Sequence, residues 1–205
     1  NSLSFRLLHP WCCCAITSIT IPNSVHTIAN DAFYGCSNLT SIIIPDGVTQ
    51  IGDYAFYSCY NLSCIIIPDG VKYIGGSAFL SCVSLKNIII PDSVTSIGNG
   101  AFSGCSSLYS ITVPYVNSKG FGYIFGTDSY TGGTYIRQDY GDWSSNGNYY
   151  EYYYIPTALR KVTITKSTSL SYGAFYNCSN ITEINLNDKI TNIGDYAFSG
   201  CSNLT

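Results

Sequence analysis

Residues 39–61 read LTSIIIPDGVTQIGDYAFYSCYN, residues 62–84 LSCIIIPDGVKYIGGSAFLSCVS and residues 85–107 LKNIIIPDSVTSIGNGAFSGCSS. These equal copies succeed one another without a gap, and residues 16–38 (ITSITIPNSVHTIANDAFYGCSN) supply a fourth. Self-similarity at such a period marks a repeat architecture and decides the fold before any other feature is weighed. Working outward, a fifth copy opens at Leu108 (LYSITVP) and the match lapses at Tyr115. Residues 159–180 restore it one residue short, residues 181–203 are a full copy, and Leu204 opens another. Upstream, Trp11-Cys12-Cys13-Cys14-Ala15 fits the tail of a degenerate copy, with Cys13 at the repeated cysteine position. The chain reads as an excerpt of a longer array, with repeats over 1–114 and 159–205 and an insertion over 115–158.

Within each copy, L-x-x-I-x-I-P alternates β-branched residues and closes on a proline that cannot donate to a ladder, which predicts a short strand. Pro-Asp-Gly or Pro-Asp-Ser supplies turn chemistry, V-x-x-I-G a second extended stretch, and D-x-A-F a single helical turn capped by Asp or Asn. No copy can bury its Leu, Ile, Val, Ala and Phe alone, but stacking at the ~4.8 Å strand spacing merges those columns into one core. The expected fold is a repeat solenoid, mainly β, with parallel strands and short helical turns.

The ten cysteines are read through the same period. Cys36, Cys59, Cys82 and Cys105 recur at the repeat interval, and Cys178 and Cys201 resume it. They mark one place in the repeat, where a buried, reduced thiol acts as a small hydrophobe. The adjacent Cys12, Cys13 and Cys14 do not reproduce the spacing of a zinc site.

This consensus resembles the BspA-like, or Treponema-type, class of leucine-rich repeats, L-x-x-I-x-(I/L)-P…V-x-x-I-G-x-x-A-F-x-x-C-x-x-L. The resemblance rests on Ala32/Phe33/Cys36, Ala55/Phe56/Cys59, Ala78/Phe79/Cys82, Ala101/Phe102/Cys105, Ala174/Phe175/Cys178 and Ala197/Phe198/Cys201. It implies a right-handed leucine-rich-repeat solenoid without a catalytic site. It also implies a location at the cell surface or in the secreted fraction, and an adhesive role toward a host protein, another cell or a glycan. The alternative is a structural spacer or stalk within a larger surface protein.

Composition agrees with a binding role rather than a chemical one. Charged residues make up only 10% of the 205, and nine Lys and Arg against twelve Asp and Glu leave a net charge of −3. No basic run offers the counterion release on which nucleic-acid binding depends. Acid–base groups are scarce: the histidines are His9 and His26, the glutamates Glu151 and Glu183. No Ser/His/Asp set, phosphate loop, cofactor motif or metal-ligand spacing is found, so no catalytic or metal residues and no cofactor are assigned. Apolar runs are too short for a membrane span.

Two places remain for a ligand. In L-x-x-I-x-I the third and fifth positions point outward, and the fifth reads Thr20, Ile43, Ile66, Ile89, Thr112, Thr163 and Asn185. Three consecutive isoleucines on a face that meets water are either half covered or a partner-binding stripe. The insertion is the second place, with ten of the nineteen tyrosines and seven glycines between Tyr115 and Ala158. Phe121, Tyr123, Ile124 and Phe125 read as anchors to the core. Trp143, Tyr149, Tyr150, Tyr152, Tyr153 and Tyr154 are candidate contacts, since tyrosine supplies rigid amphipathic area and can also stack on sugars. Asp46, Asp69 and Asp92 form a column that turn chemistry explains without a metal. The partner expected is therefore an extracellular protein or glycan, joined by the insertion and the neighbouring strand face together.

Overall fold

The computed structural model describes Ser4, Phe5 and residues 15–139 and 149–205. Trp143 and the Cys12-Cys13-Cys14 run lie outside these residues. Each copy makes one turn of a mainly-β parallel solenoid of about seven turns, in which helix is nearly absent. The L-x-x-I-x-I segments become the strands Ser41–Ile43, Cys64–Ile66, Asn87–Ile89, Ser110–Val113, Lys161–Ile164 and Glu183–Leu186. Their pairing is parallel and in repeat register, Ser41 with Cys64, Asn87 with Ser110, Ser110 with Lys161 and Lys161 with Glu183. The V-x-x-I-G segments build a second parallel sheet from Ser4–Phe5, Thr27–Ile28, Gln50–Ile51, Tyr73–Ile74 and Ser96–Ile97. Pairing of Ser4 with Thr27 carries the repeat interval back almost to the start of the chain.

Alternation along the strands sets the core, as a period of two requires. Ile42 and Ile44, Ile65 and Ile67, and Ile88 and Ile90 turn inward and are buried. Behind them Phe33, Phe56, Phe79 and Phe102 form a stacked column, with centroids 5.0, 5.2 and 5.3 Å apart and rings within 5° of parallel. The rings stand at the repeat spacing, so each shields its neighbours above and below.

The third side of each turn departs from the helical turn expected for D-x-A-F. Consecutive tight turns replace it, with Ala55 N–H donating to Gly52 O, Tyr57 to Tyr54 O and Cys59 to Phe56 O. A right-handed helix cannot continue here because Tyr54 and Ser58 both hold φ 55°, as Ser77 and Ser81 do at 52° and 62° in the next copy. Nor does the Asp or Asn act as a helix cap. Asn30 Oδ1 instead accepts from Asp53 N–H, and Asp53 Oδ1 from Gly76 N–H and the Tyr73 hydroxyl, which ties each turn to the next.

The repeated cysteines are mostly as expected. Cys59, Cys82, Cys105 and Cys178 are free and buried, and Cys201 is free and half-buried. The Sγ of Cys59, Cys82, Cys105 and Cys201 donates to the carbonyl of Phe33, Phe56, Phe79 and Phe175 in the preceding turn. Cys36 corrects the expectation: it is disulfide-bonded. The strand spacing of ~4.8 Å falls within the Cα separation a disulfide tolerates, so proximity in a stack does not forbid a bridge.

The repeat path outlasts the repeat letters. Ile124 and Phe125 stand one repeat interval after Ala101 and Phe102, inside a short 3-10 segment, Phe121–Phe125. Phe102 N–H donates to Ile124 O at 2.8 Å, the bond that Phe79 N–H makes to Ala101 O at 2.8 Å one turn earlier. Phe121 continues the column, its ring 5.3 Å from Phe125 and 4.9 Å from Phe175, and its N–H bonds Ala174 O. The chain leaves the stack after Gly126 as an antiparallel hairpin, Gly133–Asp139 against Tyr150–Pro156. Gln138 pins this hairpin between two turns. It is fully buried, its Oε1 accepts from Gly122 N–H, and its Nε2 donates to Ala174 O and Gly173 O.

One joint of the strand face is open. Ser63 N–H donates to Thr40 O and Tyr109 N–H to Lys86 O, but no equivalent bond joins Lys86 to Ser63. No ladder links Cys64–Ile66 to Asn87–Ile89, and the face divides there into two sheets. The other sides of this joint are closed by the pairing of Tyr73 with Ser96 and by the Phe79–Phe102 stack.

Candidate binding surfaces

The isoleucine column is the larger of two surfaces. Ile43, Ile66 and Ile89 are 77%, 66% and 68% exposed, although their neighbours in the same strands are core. Among the described residues nothing covers them. Alternation alone produces this, because Ile at both parities of I-I-I puts one apolar side chain outward for every two inward. Further along, the column becomes polar with Thr112 and Thr163. The neighbouring column there is cross-linked by Ser110 Oγ to Asn87 Oδ1 at 2.8 Å and by the Lys161–Glu183 ion pair at 2.7 Å. That pair raises the Lys161 pKa and lowers that of Glu183, chiefly through the hydrogen bond between them.

The hairpin provides the second surface. Its register places Tyr135 opposite Tyr154, Arg137 opposite Tyr152 and Asp139 opposite Tyr150. These residues share one face, and Ile136, Gln138, Tyr153 and Ile155 share the face packed on the solenoid. Tyr135 and Tyr152 stack with centroids 4.9 Å apart, Tyr150 meets Tyr152 edge-on at 5.6 Å, and the Arg137 guanidinium lies 4.3 Å over the Tyr150 ring. Arg137 Nε also stands 3.0 Å from Asp139 Oδ1. This is a charge contact rather than a hydrogen bond, since neither atom has a hydrogen-bond partner.

The sequence-predicted residues therefore separate. Tyr149, Tyr150 and Tyr152 are exposed and Tyr154 is half-buried. Tyr153 is corrected: at 1% exposure it belongs to the core, where its ring would meet any Cβ added to Gly122. Trp143 lies outside the described residues. Sequence reasoning missed Tyr135 and Arg137, for which the signal was the second extended run, G-T-Y-I-R-Q-D, facing the tyrosines across a hairpin. It also missed Tyr34, Tyr54 and Tyr60, exposed on the turn side, where Tyr34 stacks on Tyr57 at 4.5 Å.

Among the described residues no group of three or more His, Cys, Asp and Glu is placed to hold a metal ion. No described helix is long and apolar enough to cross a membrane. Buried thiols are poor nucleophiles here: desolvation pushes Cys59 and Cys105 up to about 12 and raises Cys82 and Cys178 well above the usual thiol range.

The chain belongs to the BspA type leucine-rich repeat family, whose model matches six copies over residues 10–129 and 148–205. Solved structures that resemble it include the pneumococcal vaccine antigen PcpA, 20% identical with a TM-score of 0.60 over 88% of this chain and 42% of that one. A leucine-rich repeat protein from Eubacterium ventriosum is 25% identical, with a TM-score of 0.52 over 93% of this chain and 44% of that one. The leucine-rich repeat protein of T. pallidum is 22% identical, with a TM-score of 0.48 over 98% of this chain and 81% of that one. The chain thus spans less than half of two of these three relatives. A comparison with curated proteins finds no match.

Proposed function

We propose that this chain is a non-catalytic, cell-surface or secreted binding segment that recognises a partner protein through the isoleucine stripe of its strand face. The observation that carries this reading is the exposure of Ile43, Ile66 and Ile89, side by side in one column. A contiguous apolar patch rimmed by polar groups marks an interaction surface in a protein that must stay soluble. The rim is present: Ser41, Cys64 and Asn87 flank the stripe on one side and Asp46, Asp69 and Asp92 come after the strands on the other, all exposed. Family membership supports the reading, because leucine-rich repeats generally serve protein binding.

The tyrosine face of the hairpin favours a second ligand class, a glycan. Tyr135, Tyr150 and Tyr152 present rigid exposed rings beside the Arg137 guanidinium, an arrangement able to stack on a sugar and bond its hydroxyls. The spacer alternative leans on the polar stretch Thr112, Thr163 and Asn185 and has no use for the stripe.

The test is binding of the intact chain to immobilised extracellular-matrix proteins and mucin-type glycans. It is repeated with Ile43→Ser/Ile66→Ser/Ile89→Ser and with Tyr135→Ala/Tyr150→Ala/Tyr152→Ala, each checked for folding by circular dichroism. Loss of protein binding in the first variant alone supports the stripe. A matrix protein bound equally well by that variant overturns it, and loss in the second variant alone moves the site to the hairpin.

A further inference from the structure

The open joint of the strand face lies within the isoleucine stripe. Between Cys64–Ile66 and Asn87–Ile89 runs a groove of about 330 Å³, at the small end of ligand pockets. Buried Ile65, Ile67 and Ile88 line its depth and exposed Ile66 and Ile89 its mouth. Asn87 stands where the strands begin and Asp69 where they end. Where Ser41–Ile43 meets Cys64–Ile66, and from Asn87–Ile89 on to Glu183–Leu186, backbone N–H and C=O groups are spent on the neighbouring turn. Here Cys64–Ile66 pairs only with Ser41–Ile43, and Asn87–Ile89 only with Ser110–Val113, so each strand turns an unladdered edge toward the groove. The two edges stand too close for a further strand to pair between them, but an apolar pocket of this size can seat one side chain, the element by which a bound extended peptide gains specificity.

Charge selects the residue next to the apolar one. Asp69 borders the groove and Asp46 stands one repeat before it, both exposed, and neither belongs to the ion pairs of the described residues, Arg137–Asp139 and Lys161–Glu183. Asp92, one repeat after, is already engaged: its carboxylate accepts from the Thr165 hydroxyl and its carbonyl from Lys166 Nζ. Beside the groove the strand-start end carries no acid: Ser41, Cys64 and Asn87 are neutral, and exposed Lys86 precedes Asn87.

We infer that this groove takes one large aliphatic or aromatic side chain of an extended peptide segment of the partner, with a Lys or Arg immediately after it beside Asp69. The inference rests on the stripe being the binding surface and assigns its specificity.

The test uses the intact chain with isoleucine δ-methyl labelling and the blocked hexapeptide GTFKTG, with GTAKTG and GTFETG as controls. Saturable shifts are expected at Ile66 and Ile89. Affinity should fall about tenfold or more for the Ala peptide, as burial of one large apolar side chain implies, and about threefold for the Glu peptide. Asp69→Asn should erase the preference for Lys over Glu. Ile66→Ser, a change at an exposed position, should weaken GTFKTG about fivefold or more, and Thr163→Ala, in the polar part of the column away from the groove, should leave it unchanged. Absence of saturable shifts at Ile66 and Ile89, or equal binding of the Ala peptide, overturns the groove. If matrix-protein binding still depends on the triple isoleucine variant, the groove fails and the stripe stands. If that dependence is missing too, both fail.

Discussion

The turns built from residues 39–107 and the turn that begins at Leu108 solve one packing problem with different letters. In the first set, Ala and Phe recur once per copy, each Phe N–H bonds the next Ala carbonyl, and each cysteine Sγ bonds a Phe carbonyl behind it. In the second, Ile124 takes the alanine's place, two rings, Phe125 and Phe121, span to Phe175, and a glutamine from outside the stack supplies hydrogen bonds to the next turn. What the solenoid keeps constant is backbone partners and filled volume at each level. Residue identity is one way of meeting that requirement, and a hairpin bringing in Gln138 is another.

The strongest way to break this comparison is to empty the column on both sides of it. Phe79→Ala should cost about 3–5 kcal/mol, because the ring is fully buried between two parallel rings that cannot close the gap. Phe125→Ala should fall in the same range if the irregular turn is packed to the same density. Urea unfolding followed by circular dichroism measures both. A Phe125 loss below about 1 kcal/mol would show a turn that only traces the path of its neighbours.

Gln138→Leu probes the other half of the comparison. It conserves approximate volume but strands the N–H of Gly122 in a dry site, whereas the carbonyls of Ala174 and Gly173 keep the Phe121 and Tyr176 N–H donors. A loss of about 1–3 kcal/mol is expected for that one unsatisfied group. A neutral result would mean that the hairpin is held by Ile136, Tyr153 and Ile155 alone.

How much of this was legible depends on what each residue must satisfy. Ile42, Ile65, Phe56 and Cys82 were readable because a column position in a stack has one environment, repeated, and the sequence repeats with it. Ile124 and Phe125 carry the same signal at the same interval, but with Ile for Ala and without the flanking consensus, so they read as anchors of an insertion. Tyr153 reads as exposed because a run of tyrosines hides its own alternation until the opposing strand fixes which face is buried. The helical turn at D-x-A-F fails on backbone conformation: Tyr54 and Ser58 adopt positive φ, which neither residue type announces. The open joint was illegible, since I-I-I-P-D stands on both sides of it.

Thiols sharpen the comparison along the pH axis. Cys59 and Cys105 are held neutral by desolvation, with pKa values up to about 12. A group whose folded pKa is raised binds its proton more tightly when folded, so its stabilisation is complete below about pH 9 and is lost as pH rises toward 12. By pH 10 each should have given up about 1 kcal/mol, visible as a fall in urea midpoint. Thiol mapping by mass spectrometry at pH 8 should find exposed Cys64 labelled first and Cys59, Cys82 and Cys105 unlabelled until denaturant is added. Rapid native labelling of Cys82 would show that the stack opens locally at that level.

The smallest effect expected concerns two joints that share the same letters. Ile43 and Ile66 are paired across a ladder, whereas Ile66 and Ile89 face each other across the open groove. Single changes to Thr at these exposed positions should each move stability by about 0.5 kcal/mol or less, since little area leaves or enters water. Their couplings should differ nonetheless. β-branched neighbours on paired parallel strands contribute about 0.2–1 kcal/mol, so the Ile43→Thr/Ile66→Thr cycle should show a coupling in that range. The Ile66→Thr/Ile89→Thr cycle should show less, because no ladder holds those two side chains at strand spacing. Equal couplings would mean that the joint closes in solution, and the groove with it; a coupling confined to the first pair would place a weak seam of the strand face between Ile66 and Ile89, inside the isoleucine stripe.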